Sequence, residues 1–379
     1  MWNELVSDNS LTGRISMVRA AILEEDGTVE VHDRPRPKLE PGAILIKTKF
    51  SEVCGTDVHL QKGHLAGVPY PIIPGHVSTG IIEEINGHVH DIDGVVLQEG
   101  DPVTFLDVHE TCNSCWYCLV AKASTRCPQR KVYGVTYSAN EGLLGGWSQY
   151  IYLKPGVKIV KLSNPSVLRT FIAGGCGLPT AVHAIERAEI KLGDTVAVQG
   201  SGPVGLMCAL LAKMSGAFDV IMLGAPELRL EVARAFDTDT TINIMEADPQ
   251  ERVQQVLDLT NGRGVDVTVE ATGVPSAVKE GMEMTRDSGT YVIVGQYTNA
   301  GDIPINPHLD INKKHLTIRG SWGSDFRHFY LAVKLNEKYT NKYPWEKIIS
   351  CEYSLDETSQ ALDDVDKLRV VKAIIDPWK

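Results

Sequence analysis

The run Gly200-Ser201-Gly202-Pro203-Val204-Gly205 constrains the fold of this chain more than any other. It follows the apolar stretch DTVAVQ and opens the helix-length apolar stretch PVGLMCALLAKMSGA, so a strand passes into a helix across a glycine-rich turn. In that context Gly200 permits the tight turn and Gly202 lets the backbone approach a pyrophosphate. Gly205 lets helix pack on strand, and the helix N-terminus favours the anion. A ligand-free βα turn is the competing reading. The sequence that follows weighs against it, because DVIMLG, PELRLEVARAF, TTINI, PQERVQQVLDLT, VDVTVEATG and GTYVIVGQY continue the alternation of strand and helix. Such alternation implies an α/β fold with a doubly wound parallel sheet, helices on both faces. A carboxylate is expected at the end of the second strand to bond the ribose hydroxyls of NAD. Gly224 stands there instead, with Arg229 five residues on as a partner for a 2′-phosphate and Glu227 keeping negative charge nearby. Both NAD and NADP remain open on these residues.

The preceding part of the chain reads differently. MVRAAILEEDGTVEVHDRPRP has the pattern of a hairpin followed by a proline-rich bend, with residues 1–16 as an extension before it. From Ala43 to about residue 160, short apolar runs such as AILIKTKF, STGIIEEI and DPVTFLDV alternate with Gly, Pro and Asp turns, as in an irregular β domain. With 379 residues, the chain exceeds what one core usually supports, and its 43% hydrophobic content is enough to build two.

Four of the eight cysteines, in the spacing Cys112-x2-Cys115-x2-Cys118-x8-Cys127, present four thiolates on one loop, enough to enclose a tetrahedral zinc with no open position. Disulfides, an iron-sulfur cluster hinted at by Cys127-Pro128, and free thiols are the competing readings. The opening MWNELVSDNS has neither the basic nor the apolar stretch of a secretory signal, so a reducing cytoplasm is expected, where clustered cysteines favour metal. A net charge of -11 repels nucleic acid and anionic membrane surfaces, and no run is apolar and long enough to span a bilayer. Cys54, His76 and Cys176 lie far apart, and spacing alone does not join them.

Taken together, Val53-Cys54-Gly55-Thr56-Asp57-Val58-His59, Pro74-Gly75-His76, the four-cysteine loop, the Cys176 segment, GSGPVG, VEATG (Val269 to Gly273) and the C-terminal VVKAIIDP stand in one order along the chain. That set closely resembles the medium-chain, zinc-dependent alcohol dehydrogenases, including their sorbitol- and threonine-dehydrogenase-like branches, from Met17 onward. The resemblance implies a GroES-like β domain (residues 1–164, with 321–379 returning to it) and an inserted Rossmann domain (165–320). It implies two zinc ions per chain: a catalytic one held by Cys54, His76 and Cys176 with a fourth position for water or substrate oxygen, and a structural one on the loop. Thr56 would accept the alcohol proton and His59 would end the relay. Gly295 would border the nicotinamide and Lys372 would lie near the pyrophosphate. The implied reaction interconverts an alcohol, secondary or functionalised, and a carbonyl with NAD(P), in a homodimer or homotetramer paired through HLTIRGSWGS. A non-catalytic zinc- and nucleotide-binding redox sensor, or an aldehyde-dismutating relative with tightly held cofactor, are the alternatives. The family usually has Glu directly after the zinc histidine. Val77 stands here, which leads one to expect a less negative pocket and no carboxylate exchange at the metal. Eight residues rather than seven precede the last loop cysteine, an insertion the small residues of VAKAS can absorb.

Overall fold

The computed structural model describes residues 16–379, so the extension expected over residues 1–16 lies almost wholly outside the described residues. The hairpin forms as read, Met17–Leu23 pairing antiparallel with Val29–Pro35. Next to it a seven-stranded sheet runs in the order Ile349–Tyr353, Lys372–Ile375, Ile44–Val53, Ser78–Ile85, Pro102–Phe105 and Ile159–Lys161, with Tyr150–Leu153 also on Ile44–Val53. The strand Lys372–Ile375 lies antiparallel to the end of Ile44–Val53, with Ile374 opposite Glu52 and Ala373 opposite Val53. Residues more than three hundred apart in sequence therefore share one ladder immediately before Cys54.

The second sheet has six parallel strands in the order Thr240–Asn243, Asp219–Gly224, Thr195–Gln199, Val265–Glu270, Thr285–Ile293 and Thr317–Gly320. Its strand order reverses between Thr195–Gln199 and Val265–Glu270, the switch point at which open α/β sheets bind ligands beyond their strand ends. The buried runs Val196, Val198, Val220 and Met222 meet Leu206, Met207 and Leu210 of the helix Pro203–Met214. Each such side chain contributes about 1.5–3 kcal/mol on burial. Val167–Gly174 and Gly177–Ala188 are the two helices that carry the chain from one sheet to the other. Cys176 sits between them. Among the described residues no helix is long and apolar enough to cross a membrane.

Candidate active site and metal centres

The loop cysteines come together as their spacing predicts. Cys112, Cys115, Cys118 and Cys127 place their sulfurs within 4.8 Å of one another, and the Cys112 and Cys127 sulfurs are 3.6 Å apart. Zinc-sulfur bonds of about 2.3 Å in a tetrahedron require separations of about 3.8 Å, so the donor set fits the ion. Local backbone supports the thiolates: Cys115 N–H donates to Cys112 Sγ and Cys112 N–H to Cys127 Sγ, each at 3.3 Å. Ser114, by its side chain and backbone, and then Cys115 pull the Cys112 thiol down to about 6, so one thiolate is ready for a cation. In the longer span before Cys127, Lys122 turns with φ 52°.

The dispersed residues converge as well. Cys54 caps the helix Gly55–Gln61, its sulfur accepting from Thr56 N–H at 3.3 Å and its own N–H donating to Asp57 at 2.8 Å. Asp57 also accepts from Gly75 N–H at 3.4 Å, which ties the Cys54 turn to the turn bearing His76. Cys54, His76, Cys176 and, unforeseen in the sequence, Glu52 place their ligand atoms within 4.8 Å of one another. His76 Nε2 lies 3.6 Å from Glu52 Oε1, and its Nδ1 is buried without a partner among the described residues. Burial opposes charge on His76, but the Cys176 bond and the charges of Cys176, Asp57 and Glu52 outweigh it and raise its pKa to about 10. The site attracts positive charge, and two sulfurs with one imidazole and an open position make a catalytic zinc set.

These ligands open into a cleft of about 430 Å³, which Thr56, His59, Gly202, Arg229 and Gly295 also line. Gly200 turns at φ 104°, and a Cβ on Gly205 would stand 1.8 Å from the Gly200 carbonyl oxygen, so both glycines are required where the sequence places them. At Gly202 the nearest protein atom to a Cβ would be Arg229 Nη1 at 3.8 Å, which leaves room for a phosphate against the backbone. Ser201 Oγ donates to the Ala225 carbonyl at 3.1 Å and fastens the loop to the strand end at Gly224. Glu270 accepts from the backbone N–H groups of Thr272, Gly273 and Gly295, which fixes the loop on which Gly295 meets the cleft.

Residues 40–164 match the family described as alcohol dehydrogenase GroES-like domain, and residues 203–338 the family described as zinc-binding dehydrogenase. The 5-exo-hydroxycamphor dehydrogenase of Pseudomonas putida is 33% identical over 94% of this chain and 98% of its own. This chain belongs to the zinc-dependent medium-chain alcohol dehydrogenases. The sorbitol dehydrogenase of Halalkalibacterium halodurans is 28% identical over 95% of this chain and 99% of its own. The crystal structure of an alcohol dehydrogenase from Thermotoga maritima superposes with a TM-score of 0.88 at 32% identity, covering 95% of this chain and 99% of that one. A zinc-binding dehydrogenase from Sinorhizobium meliloti, solved bound to NADP, gives 0.83 at 26% identity over 96% and 100%. The chain is thus an NAD(P)-dependent, zinc-containing alcohol dehydrogenase with a GroES-like β domain and a Rossmann sheet, and its substrates are small alcohols and carbonyls.

Within this dehydrogenase two expectations need correction. Lys372 does not approach the pyrophosphate loop: it is fully buried behind Cys176, its Nζ 2.6 Å from Glu52, because its strand pairs with the one ending at Val53. Val77 does not leave the ligand cluster short of a carboxylate. Its side chain packs among apolar neighbours at the cleft wall, and Glu52 of the adjacent strand, outside the cleft, places its carboxyl within 4.8 Å of the other ligand atoms. Arg229, expected as the partner of a 2′-phosphate, is buried in the cleft wall, bonds the Val370 carbonyl at 2.8 Å and keeps Nε unpartnered among the described residues, a cation beside the glycine loop. Glu52 and Asp57 are the site residues that sequence reasoning missed. Asp57 was signalled by its place three residues after a helix-capping residue, the spacing of a capping box. A charged residue in the apolar run leading to Cys54 was the only signal for Glu52.

Proposed function

We propose that this enzyme oxidises a secondary or functionalised alcohol, and reduces the matching carbonyl, in the cleft between its two sheets, with Cys54, His76 and Cys176 holding the catalytic zinc and Cys112, Cys115, Cys118 and Cys127 the structural one. The observation that carries this reading is that three ligand atoms, the hydroxyl of Thr56, the imidazole of His59 and the glycine turn all line one cleft. When bound there, zinc supplies a Lewis acid that lowers the pKa of an alcohol, and the nicotinamide supplies the hydride acceptor. The residues of the chain do the rest. Thr56, in the first turn of its helix, takes the alcohol proton. His59, one turn on and part-exposed, exchanges it with solvent. Burial and the nearby His64 and Lys62 hold the His59 pKa below its ordinary value, so its neutral form, able to accept a proton, prevails at neutral pH.

The cleft wall supports a substrate with more than one polar group. Tyr297 and Trp322 stack with ring centroids 5.9 Å apart to form an apolar face, while Asp107 and Arg130 present opposite charges, Arg130 Nε having no partner among the described residues. The named relatives act on a hydroxylated ring and a polyol, which accords with such a substrate. NAD and NADP are both admitted, since Gly224 carries no carboxylate and Arg229 no counter-charge.

We read the chain as residues 1–164 and 321–379 forming the catalytic domain around residues 165–320. Two or four copies would join through the edge strand Thr317–Gly320, where Thr317, Ile318 and Gly320 are exposed. A reducing cytoplasm is the compartment that keeps the ligand thiols available. The test is a panel of secondary alcohols, polyols, hydroxy acids and their carbonyl partners, assayed by nicotinamide absorbance with zinc-reconstituted protein and both cofactors. Turnover that is confined to bifunctional or secondary substrates supports the reading, and silence across the panel overturns it.

A further inference from the structure

Val77 stands directly after the zinc histidine, and the carboxylate of the ligand cluster, Glu52, lies across the strand pair from it. Glu52 N–H donates to the Val77 carbonyl at 3.1 Å, so the two residues are cross-strand neighbours. Glu52 has no exposed surface and does not line the cleft, so its carboxyl faces the ligand cluster from the protein interior. Both oxygens accept the Cys176 N–H, Oε1 at 2.9 Å and Oε2 at 3.1 Å, but only Oε2 receives the Lys372 ammonium, at 2.6 Å, and Oε1 lies 3.6 Å from His76 Nε2. Oε1 is therefore the oxygen left facing the metal ligands. The space around the pair is fitted: a Cβ on Gly175, which turns at φ 49°, would fall 1.9 Å from Glu52 Oε2 and 2.2 Å from Lys372 Nζ. Any larger residue between the two transfer helices would push the carboxylate away from Cys176.

A buried carboxylate already satisfied by lysine and a backbone N–H is stable without metal, and it can also come forward to one without crossing solvent. The desolvation that makes such a pair costly to build also makes it specific, because no water competes for Oε1.

We propose that Glu52 is a fourth, interior ligand of the catalytic metal site, occupying the position when the cleft is empty and withdrawing to Lys372 when a substrate oxygen enters. The exchange moves no proton and no electron: one oxygen-to-metal bond is given up as another forms, and the negative charge stays beside the ammonium throughout. Lys372 is the positioning residue. The inference rests on the assignment of Cys54, His76 and Cys176 as the metal ligands, and it concerns retention of the ion, since a ligand on the side away from solvent slows the last step of metal loss.

The experiment uses the full chain with cobalt(II) in the buried site and zinc in the loop, followed by visible absorption and by metal transfer to a chromogenic chelator. Glu52→Gln keeps the acceptor for Cys176 N–H but is a far weaker ligand. It should shift the cobalt spectrum of the substrate-free protein and speed release from the buried site about tenfold or more, by the measure of neighbouring-group effects at such sites, with loop-site release unchanged. The double variant Glu52→Gln/Val77→Glu, which returns the carboxylate to the neighbouring strand, should restore slow release. Should Glu52→Gln fold poorly beside an unpaired lysine, Glu52→Gln/Lys372→Met removes the charge as well and must show the same fast release. An unchanged cobalt spectrum and a wild-type release rate in either folded variant would overturn the inference. Absence of metal from the buried site of the wild type, with Cys54→Ser losing none, would instead overturn the ligand assignment beneath it.

Discussion

The loop centre and the buried centre hold cysteines to the same end by opposite means. In the loop, Cys112, Cys115 and Cys118 are partly exposed, and backbone N–H groups and Ser114 from the same short stretch support the thiolates. Desolvation and then the neighbouring cysteine sulfurs raise the Cys118 thiol to about 12. The buried centre has one such local bond, from Thr56 N–H to Cys54 Sγ, and draws otherwise on groups from distant parts of the chain. Its charge is set by Glu52, Asp57 and Lys372, and the Lys372 contact with Glu52 spans 320 residues. One site is a property of a segment and the other a property of the folded chain. A closed local set can only hold the chain together. An open set assembled by the whole fold can bind, react and be tuned.

Removing one thiol from each centre should separate the two most strongly. Cys54→Ser should lose one metal ion per chain and lower kcat by about three orders of magnitude or more, the scale of several kcal/mol of Lewis-acid stabilisation, while far-UV circular dichroism and loop metal are retained. Elemental analysis with steady-state kinetics checks this. Cys115→Ser should do the reverse, losing the loop ion and lowering Tm by several degrees, at roughly 2–4 °C per kcal/mol for domains of this size. Turnover per remaining buried ion should then change by less than about threefold. If Cys115→Ser silences a folded enzyme as fully as Cys54→Ser, the division of labour is wrong.

Smaller effects sharpen the second half of the contrast. Because burial, His64 and Lys62 lower the His59 pKa, its neutral form persists to more acidic pH than an ordinary histidine allows. Alcohol oxidation should therefore lose rate only below about pH 6.5, as the imidazole gains its proton. His59→Asn should cost about tenfold to a hundredfold at neutral pH and erase that acid limb, measured as kcat/KM against pH with a water-stable substrate. The smallest change concerns the nucleotide. A Cβ at Gly224 would stand 2.3 Å from Ser201 Oγ, so a carboxylate there needs Ser201→Gly beside Gly224→Asp. That pair should favour NAD over NADP by about tenfold in the ratio of kcat/KM values, the worth of about 1.4 kcal/mol. An unchanged ratio means that selectivity is set elsewhere.

How far the sequence reaches follows from the same contrast. Gly200, Gly205 and the four loop cysteines are legible because what demands them is local: a positive φ at Gly200, the Gly200 carbonyl against Gly205, and a tetrahedron of sulfurs from one loop. The hairpin and the parallel sheet are legible from periodicity alone. Cys54, His76 and Cys176 become a set only through family resemblance, since no spacing rule connects them. Lys372 was misplaced because a basic residue in a terminal strand carries no sign of its partner. The partner is chosen by strand pairing, with Ala373 opposite Val53. Glu52 hid for the same reason, its meaning supplied by a strand from the far end of the chain and by Val77 across the ladder.

The ladder that joins Lys372–Ile375 to Ile44–Val53 also orders events in time. At synthesis rates of about 5–20 residues per second, Glu52 waits on the order of tens of seconds before its lysine is made. Through that interval the loop cysteines have all they need to capture an ion, while the buried carboxylate has no counter-charge and its sheet no closing strand. Maturation of this enzyme should accordingly be sequential, the scaffold metal first and catalytic competence last, so that a chain cut short before residue 372 would carry zinc and still be inert.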